Sequence, residues 1–194
     1  MALPLVIAIT GASGVIYGVN LLKALKDNQQ DVELVMSDAA IRSLHLETDL
    51  SLDDVKGLAR HVYNNKDIGA AIASGSYRTR GMIIAPCTIK TLSAVAHSYS
   101  DNLISRAADV MLKEKRRLIL MVRETPLHKG HLDLMSRCSD LGATIMPPMP
   151  AFYHGPQTVQ DIIDHSIGRV LDQFDIDHDL YKRWNGQRPA SITP

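Results

Sequence analysis

The stretch Leu5-Val6-Ile7-Ala8-Ile9-Thr10-Gly11-Ala12-Ser13-Gly14-Val15 decides the fold. Apolar residues run from Leu5 to Ile9 without polar alternation, which fits a strand covered on both faces. A turn of small residues follows at once. From Tyr17 to Leu25 the chain then places Leu21, Leu22 and Leu25 on one helical face. A buried strand, a glycine turn and a helix in that order open a parallel α/β architecture.

Further strands of the same kind are predicted at Val32 to Met36, Gly81 to Ala85 and Leu118 to Val122, with a weaker one at Ala143 to Met146. Helical spacing recurs between and after them, over Ile89 to Ala96, Leu103 to Leu112 and Leu132 to Leu141. It is clearest from Val159 to Phe174, where Ile162, Ile163, Ile167, Val170, Leu171 and Phe174 repeat at helical intervals. The alternation predicts a single-domain, three-layer αβα fold with a mostly parallel, Rossmann-like (flavodoxin-like) sheet. That domain is expected to occupy 1–185, with 186–194 as a mobile C-terminal tail. Asn64 to Arg80 is rich in Gly, Ala and Ser and reads as a flexible active-site loop without regular structure.

The chain has 194 residues, enough for one full core. Its 21 basic and 21 acidic side chains cancel, which argues against nucleic acid or an anionic membrane as partner. Cys87 and Cys138 are the only cysteines and form no CxxC pair, so they read as reduced thiols. The apolar N-terminus lacks a basic flank and runs into the glycine turn, so it reads as a strand and not a signal peptide. No apolar run reaches the roughly 18–20 residues that cross a bilayer. The expected location is the cytoplasm.

The small residues Gly11, Ala12, Ser13 and Gly14 let backbone N–H groups approach an anion, and a helix dipole adds to the attraction. Gly18 falls one position late for the dinucleotide GxGxxG, and the P-loop lysine is absent. A mononucleotide phosphate therefore fits better than a pyrophosphate; the structural alternative is a tight turn alone. In open parallel sheets, ligands lie beyond the carboxyl ends of strands. Ser37 ends the second strand, as a ligand contact or as a helix N-cap. The third strand ends in Pro86-Cys87-Thr88-Ile89-Lys90-Thr91-Leu92-Ser93, whose hydroxyls and lysine suit a ligand's polar edge or a capped helix. Cys87 there reads as a small buried hydrophobe in preference to a nucleophile. The fourth strand ends in Arg123-Glu124, a phosphate grip and a proton-exchanging carboxylate, or a surface ion pair. His128 and His131 lack the companions a metal site needs, so no metal is expected.

Taken in order, several segments resemble the UbiX-type flavin prenyltransferase family. They are Thr10-Gly11-Ala12-Ser13-Gly14, Glu47-Thr48-Asp49, Pro86 to Ser93, Arg106-Ala107-Ala108-Asp109-Val110, Arg123-Glu124-Thr125-Pro126-Leu127-His128 and Pro147-Pro148-Met149-Pro150-Ala151-Phe152-Tyr153-His154. The likeness runs from Leu5 to about Trp184. It implies transfer of a dimethylallyl group from dimethylallyl monophosphate to N5 and C6 of reduced FMN, without a metal. The prenylated FMN would pass to a UbiD-type decarboxylase, in ubiquinone biosynthesis or in phenolic acid decarboxylation. The family also implies a homododecamer with ligand sites shared between subunits.

Carried onto this sequence, the resemblance places FMN contacts at Gly11, Ala12, Ser13, Ser37, Thr88, Ile89, Lys90, Thr91 and Arg123, with Arg106 as a further matched position. Prenyl phosphate contacts fall at Tyr153 and Arg169, with Lys113 and Glu124 beside them. Glu47 is matched, Ser13 is implied to position N5 or the phosphate, and Trp184 matches an aromatic that closes over the site. Loss of phosphate from an allylic ester builds charge on the departing oxygens, which Lys113, Arg169 and the Tyr153 hydroxyl suit. Glu124 suits a proton relay between flavin and phosphate. Where some relatives place an aromatic near the flavin, 64–80 has Ile68 and Ala73. Three other readings compete, one of them a direct aromatic-acid decarboxylase. An FMN-dependent decarboxylase of the pantothenate-cysteine type would need an active-site His and an Asn/Met-rich motif that this sequence lacks. A non-catalytic flavin-carrying subunit would not need a second phosphate site.

Overall fold

Each strand predicted from an apolar run is present and pairs only with parallel neighbours, although Glu33 interrupts the run from Val32 to Met36. A computed structural model describes residues 3–186; apart from Gly186, the expected tail lies outside the described residues. In chain order the elements are β1 (Leu5–Ile9), α1 (Val15–Asp27), β2 (Val32–Met36), α2 (Asp38–Glu47), α3 (Leu52–Lys56) and β3 (His61–Asn64). There follow β4 (Gly81–Cys87), α4 (Ile89–Ala96), α5 (Leu103–Lys113), β5 (Arg117–Val122), α6 (Lys129–Asp140), β6 (Thr144–Ile145) and α7 (Val159–Asp172). The chain divides into two compact units, one ending at Pro147 and one beginning at Pro148.

In the first unit, the sheet order is β3-β2-β1-β4-β5-β6, the doubly wound order predicted as Rossmann-like. Leu5 pairs with Val32 on one side and with Gly81 on the other, so β1 is central. Alternate residues serve the two faces. Val6, Ala8, Val35, Met82, Ile84, Leu118 and Leu120 pack with Leu92, Val95, Ala107, Ala108 and Met111 of α4 and α5. The intervening Leu5, Ile7 and Ile9 are equally buried, and Gly18 of α1 lies against Ile9. Burial on both faces is why these strands read as continuous apolar runs.

Two elements, β3 and α3, were not anticipated, and α2 was anticipated only through Ser37 as a helix N-cap. The edge strand β3 pairs only with β2 and reads His61-Val62-Tyr63-Asn64, mostly exposed, so it lacks the buried-strand signature. α2 buries only Ala40 and Leu44, and α3 only Val55, too little apolar surface to show as a periodic stripe. The 64–80 stretch contains a short 3-10 turn, Ala71–Ala73, whose Ile72 and Ala73 join the core. It is also tied down: Arg116 donates to the carbonyls of Tyr77 and Gly75 at 2.8 and 2.6 Å, and Tyr77 donates to buried Glu33 at 2.8 Å.

Two glycines shape the turn after β1. Gly14 is the N-cap residue of α1 at φ +95°, a conformation that favours glycine. Gly11 lies where a Cβ would overlap the Cβ of Ala39 in α2. Gly11→Ala is therefore expected to destabilise the ligand-free protein by about 1–3 kcal/mol. A thermal melt measures this, and adding Ala39→Gly should restore part of the loss.

Candidate active site

The sheet order reverses between β1 and β4, and the cleft lies there. Their ends are stitched by Thr10, which is 2% exposed. Its Oγ1 donates to the Pro86 carbonyl at 2.7 Å and accepts from the Thr88 N–H at 2.9 Å. Pro86 has no N–H to give, and the β4–β5 register shifts between Ile84 and Cys87, which interrupts the ladder beside the cleft before Cys87 pairs with Val122.

A cavity of about 410 Å3 opens at this point, lined among others by Gly11, Ser37, Asn65, Thr88, Lys90 and Thr91. α2, α4 and α5 all begin at its rim, so their free N–H groups and dipoles favour an anion. Ser37 caps α2, accepting from the Ala40 N–H at 3.1 Å. Its hydroxyl hydrogen remains for a ligand, so the capping and ligand roles are compatible. Thr88 caps α4, accepting from the Thr91 N–H at 3.1 Å while donating to the Thr91 hydroxyl at 3.0 Å. Lys90 is exposed and stands 3.8 Å from Asp101.

The first turn is different. Gly14 and Val15 donate their N–H groups to Glu47 Oε2, at 2.8 and 3.1 Å. The α1 N-terminus thus already holds a carboxylate from the last residue of α2. Ala12 donates back to the Thr10 carbonyl at 3.0 Å, and Ser13 is exposed.

At the end of β5, Arg123 and Glu124 are exposed and do not pair with each other. Glu124 Oε1 instead accepts from the Thr125 N–H at 2.9 Å. Arg123 lies near Tyr17 of α1; burial raises the Tyr17 phenol's pKa, and the Arg123 charge partly offsets this. Cys87 is fully buried, and burial pushes its thiol pKa up, as suits a packing residue. Among the described residues, no group of three or more His, Cys, Asp or Glu side chains could hold a metal. No described helix is long and apolar enough to cross a membrane.

Arg106 and Lys113 occupy α5, which starts at the cleft and runs back toward the amino edge of the sheet. Arg106 donates to the Ala73 carbonyl at 3.2 Å and pairs with Asp109 at 3.1 Å. Lys113 pairs with Glu114 at 2.6 Å. It lies nine residues beyond cleft-lining Ile104, about 14 Å along the helix axis. The fold does not bring Lys113 to this chain's own cleft.

In the second unit, Tyr153, Arg169 and Trp184 come together. Tyr153 and Trp184 meet edge to face at 5.8 Å, and the Tyr153 hydroxyl lies 2.9 Å from His165 Nε2. Arg169 is held by Asp172 at 3.4 Å, and a hydrogen bond with Tyr181 raises its already high pKa. Asp172 is the hub, accepting from Arg183 and Tyr181, each at 2.6 Å, and meeting His178 at 3.1 Å. Burial opposes its ionisation, yet the hydrogen bonds from Arg183, Tyr181 and His178 outweigh burial and hold its carboxyl well below the usual range.

The chain is similar to known proteins over most of its length. The flavoprotein family model matches residues 2–171. A flavin prenyltransferase UbiX of Thauera aromatica is 58% identical over 188 residues, 97% of each chain. The chain belongs to the UbiX flavin prenyltransferase family. The crystal structure of AnUbiX (PadA1) in complex with FMN and dimethylallyl pyrophosphate superimposes with a TM-score of 0.95. It is 46% identical and covers 96% of this chain and 100% of its own. A dodecameric FMN-dependent UbiX-like decarboxylase from Escherichia coli O157:H7 superimposes with a TM-score of 0.92 at 47% identity, covering 94% of this chain and 100% of its own.

Several residues that shape the cleft and the Tyr153 cluster carry no role in the sequence reading. Thr10 stood inside a quoted motif without a role. Asn102, a cleft residue, caps α5 with Ser105 three positions on, a signal open to sequence. Asn65 accepts the Ile104 N–H from across the fold at 3.1 Å, and no local pattern announces it. The same holds for His165, Asp172, Tyr181 and Arg183.

Glu47→Ala is expected to lower the stability of the ligand-free protein by about 1–2 kcal/mol, read by thermal melting, because two α1 N–H groups lose their acceptor. Asp172→Asn should cost about 1–3 kcal/mol at neutral pH. The Asp172 pKa is depressed in the folded state, so its contribution is present above the unfolded value and fades as pH falls. The gap between wild type and Asp172→Asn should therefore narrow below about pH 4. Melting curves at pH 7 and pH 3 provide the check.

Proposed function

We propose that this protein transfers the dimethylallyl group of dimethylallyl monophosphate to N5 and C6 of reduced FMN. The observation that carries the reading is the meeting of Tyr153 and Arg169 in a second phosphate-ready cluster, besides the switch-point cleft. A flavin carrier needs only the cleft. The high identity with flavin prenyltransferases supports the same conclusion.

FMN is a substrate in this reading, and the residues present suit it. Gly11, Ala12, Ser13, Ser37, Thr88, Ile89, Lys90, Thr91 and Arg123 supply backbone N–H groups, hydroxyls and positive charge. The reduced flavin provides the nucleophilic atoms and a face that keeps water from the allylic cation. Tyr153 and Arg169 bind the prenyl phosphate. With Lys113 they stabilise the charge that grows on its oxygens as the C–O bond breaks. Glu124 moves a proton between flavin and phosphate. Glu47, by fixing the Gly14 and Val15 N–H groups, orients the turn that carries Ser13. Trp184 closes over the prenyl group beside Tyr153, and Arg106 braces the Ala73 wall.

Lys113 acts in a neighbouring copy's pocket, because α5 directs it away from its own cleft. Exposed Met149, Phe152 and Trp184 suit burial between copies in a homododecamer. The product goes to a UbiD-type decarboxylase, with both proteins in the cytoplasm. The FMN-binding unit and the C-terminal residues serve as one functional domain.

Anaerobic incubation with reduced FMN and dimethylallyl monophosphate should add five carbons to the flavin, read by mass. An unchanged flavin mass overturns the reading. Glu124→Ala should keep FMN affinity while slowing turnover on the order of 10²-fold. Arg169→Ala should weaken prenyl phosphate binding about tenfold or more and leave FMN affinity nearly unchanged.

A further inference from the structure

The two side chains assigned to the prenyl phosphate are oriented by different means. Arg169 is held by Asp172 and Tyr181. The Tyr153 hydroxyl has one hydrogen-bond partner among the described residues, Nε2 of His165 at 2.9 Å. His165 lies on α7 and is 8% exposed. Its ring is gripped on several sides. His154 stacks on it at 4.8 Å and 9°, Tyr181 meets it at 4.7 Å and 60°, and Tyr153 stands edge-on at 5.5 Å and 80°. A ring packed this way cannot turn its nitrogen away from Tyr153 without disturbing three aromatic neighbours.

Burial lowers the His165 pKa; the charges of His154 and Arg169 lower it further, and Asp172 opposes them. The imidazole is therefore neutral near pH 7 and carries one N–H. Where that hydrogen sits decides what Tyr153 can offer. A phenol that donates to His165 turns only oxygen lone pairs toward an anion. A phenol that accepts from His165 keeps its own hydrogen for the anion. Phosphate next to Arg169 selects the second arrangement, because every hydrogen then points toward the negative charge.

We propose that His165 is a positioning residue for Tyr153, donating its Nε2–H to the phenol oxygen and directing the Tyr153 hydroxyl hydrogen to the prenyl phosphate. This rests on the reading of Tyr153 as a phosphate contact. His165 touches no reacting atom; it acts through the tyrosine.

The test is a double-mutant cycle in the prenylation assay, with reduced FMN saturating and dimethylallyl monophosphate varied. His165→Phe keeps an aromatic ring without an N–H. His165→Asn, whose amide matches Nδ1 and falls short of Tyr153, is the second test should the Phe variant not fold. Each should raise KM for dimethylallyl monophosphate about tenfold, with FMN affinity unchanged. His165→Gln, which keeps a donor at the Nε2 position, should stay within about threefold of wild type. In a Tyr153→Phe background, loss of His165 should add less than about twofold, since no hydroxyl remains to be directed. Equal losses in both backgrounds, or an unimpaired His165→Phe beside an impaired Tyr153→Phe, overturn the positioning role alone. A Tyr153→Phe variant with wild-type KM overturns the Tyr153 assignment, and the positioning role with it.

Discussion

The cleft depends on how β1 and β4 are joined where they stop. Backbone groups at the ends of buried strands lose their ladder partners and still have to be satisfied. Thr10 meets that need with one hydroxyl, donating to Pro86 and accepting from Thr88. The two strands then feed helices that diverge from the same point, α1 toward one face and α4 toward the other. The cavity lies beside Gly11, among the starts of α2, α4 and α5. Ser37, Thr88 and Thr91 reach it because α2 and α4 must also cap their first turns. Structural capping and ligand recognition thus draw on the same hydroxyls.

The parallel sheet was legible because burial on both faces leaves apolar runs, which Leu5–Ile9, Gly81–Cys87 and Arg117–Val122 carry and which Glu33 alone breaks in Val32–Met36. The carboxyl-edge residues were legible for a related reason, since polar residues ending such runs have few other places to lie. β3 and α3 were not, because an edge strand and a thinly buried helix need no apolar signature. Their contribution depends on what lies beside them in space. The flexible reading of 64–80 also misses its anchors, Glu33 and Arg116, which lie 44 and 39 residues from Tyr77.

The cluster of Tyr153, Arg169 and Trp184 was legible only as a family pattern. Tyr153 and Arg169 can be named from matched segments, yet nothing local says what orients them. The orienting groups are His165, Asp172, Tyr181 and Arg183, ordinary polar residues whose importance lies in distances of 2.6 to 3.1 Å across the second unit. Lys113 presents the reverse case. Its identity is easily matched, whereas its position on α5 separates it from this chain's cleft.

α2 is ten residues long, a rod of about 15 Å. Near its start, Ala39 presses on Gly11; at its end, Glu47 clasps Gly14 and Val15. The turn after β1 is therefore strapped along the flank of α2 at two points, with no slack between them. Ser37 sits at the head of the same rod. A ligand that draws on Ser37 therefore meets a helix whose two ends are both fixed to the Gly11–Gly14 turn, so the two walls of the cleft share one support.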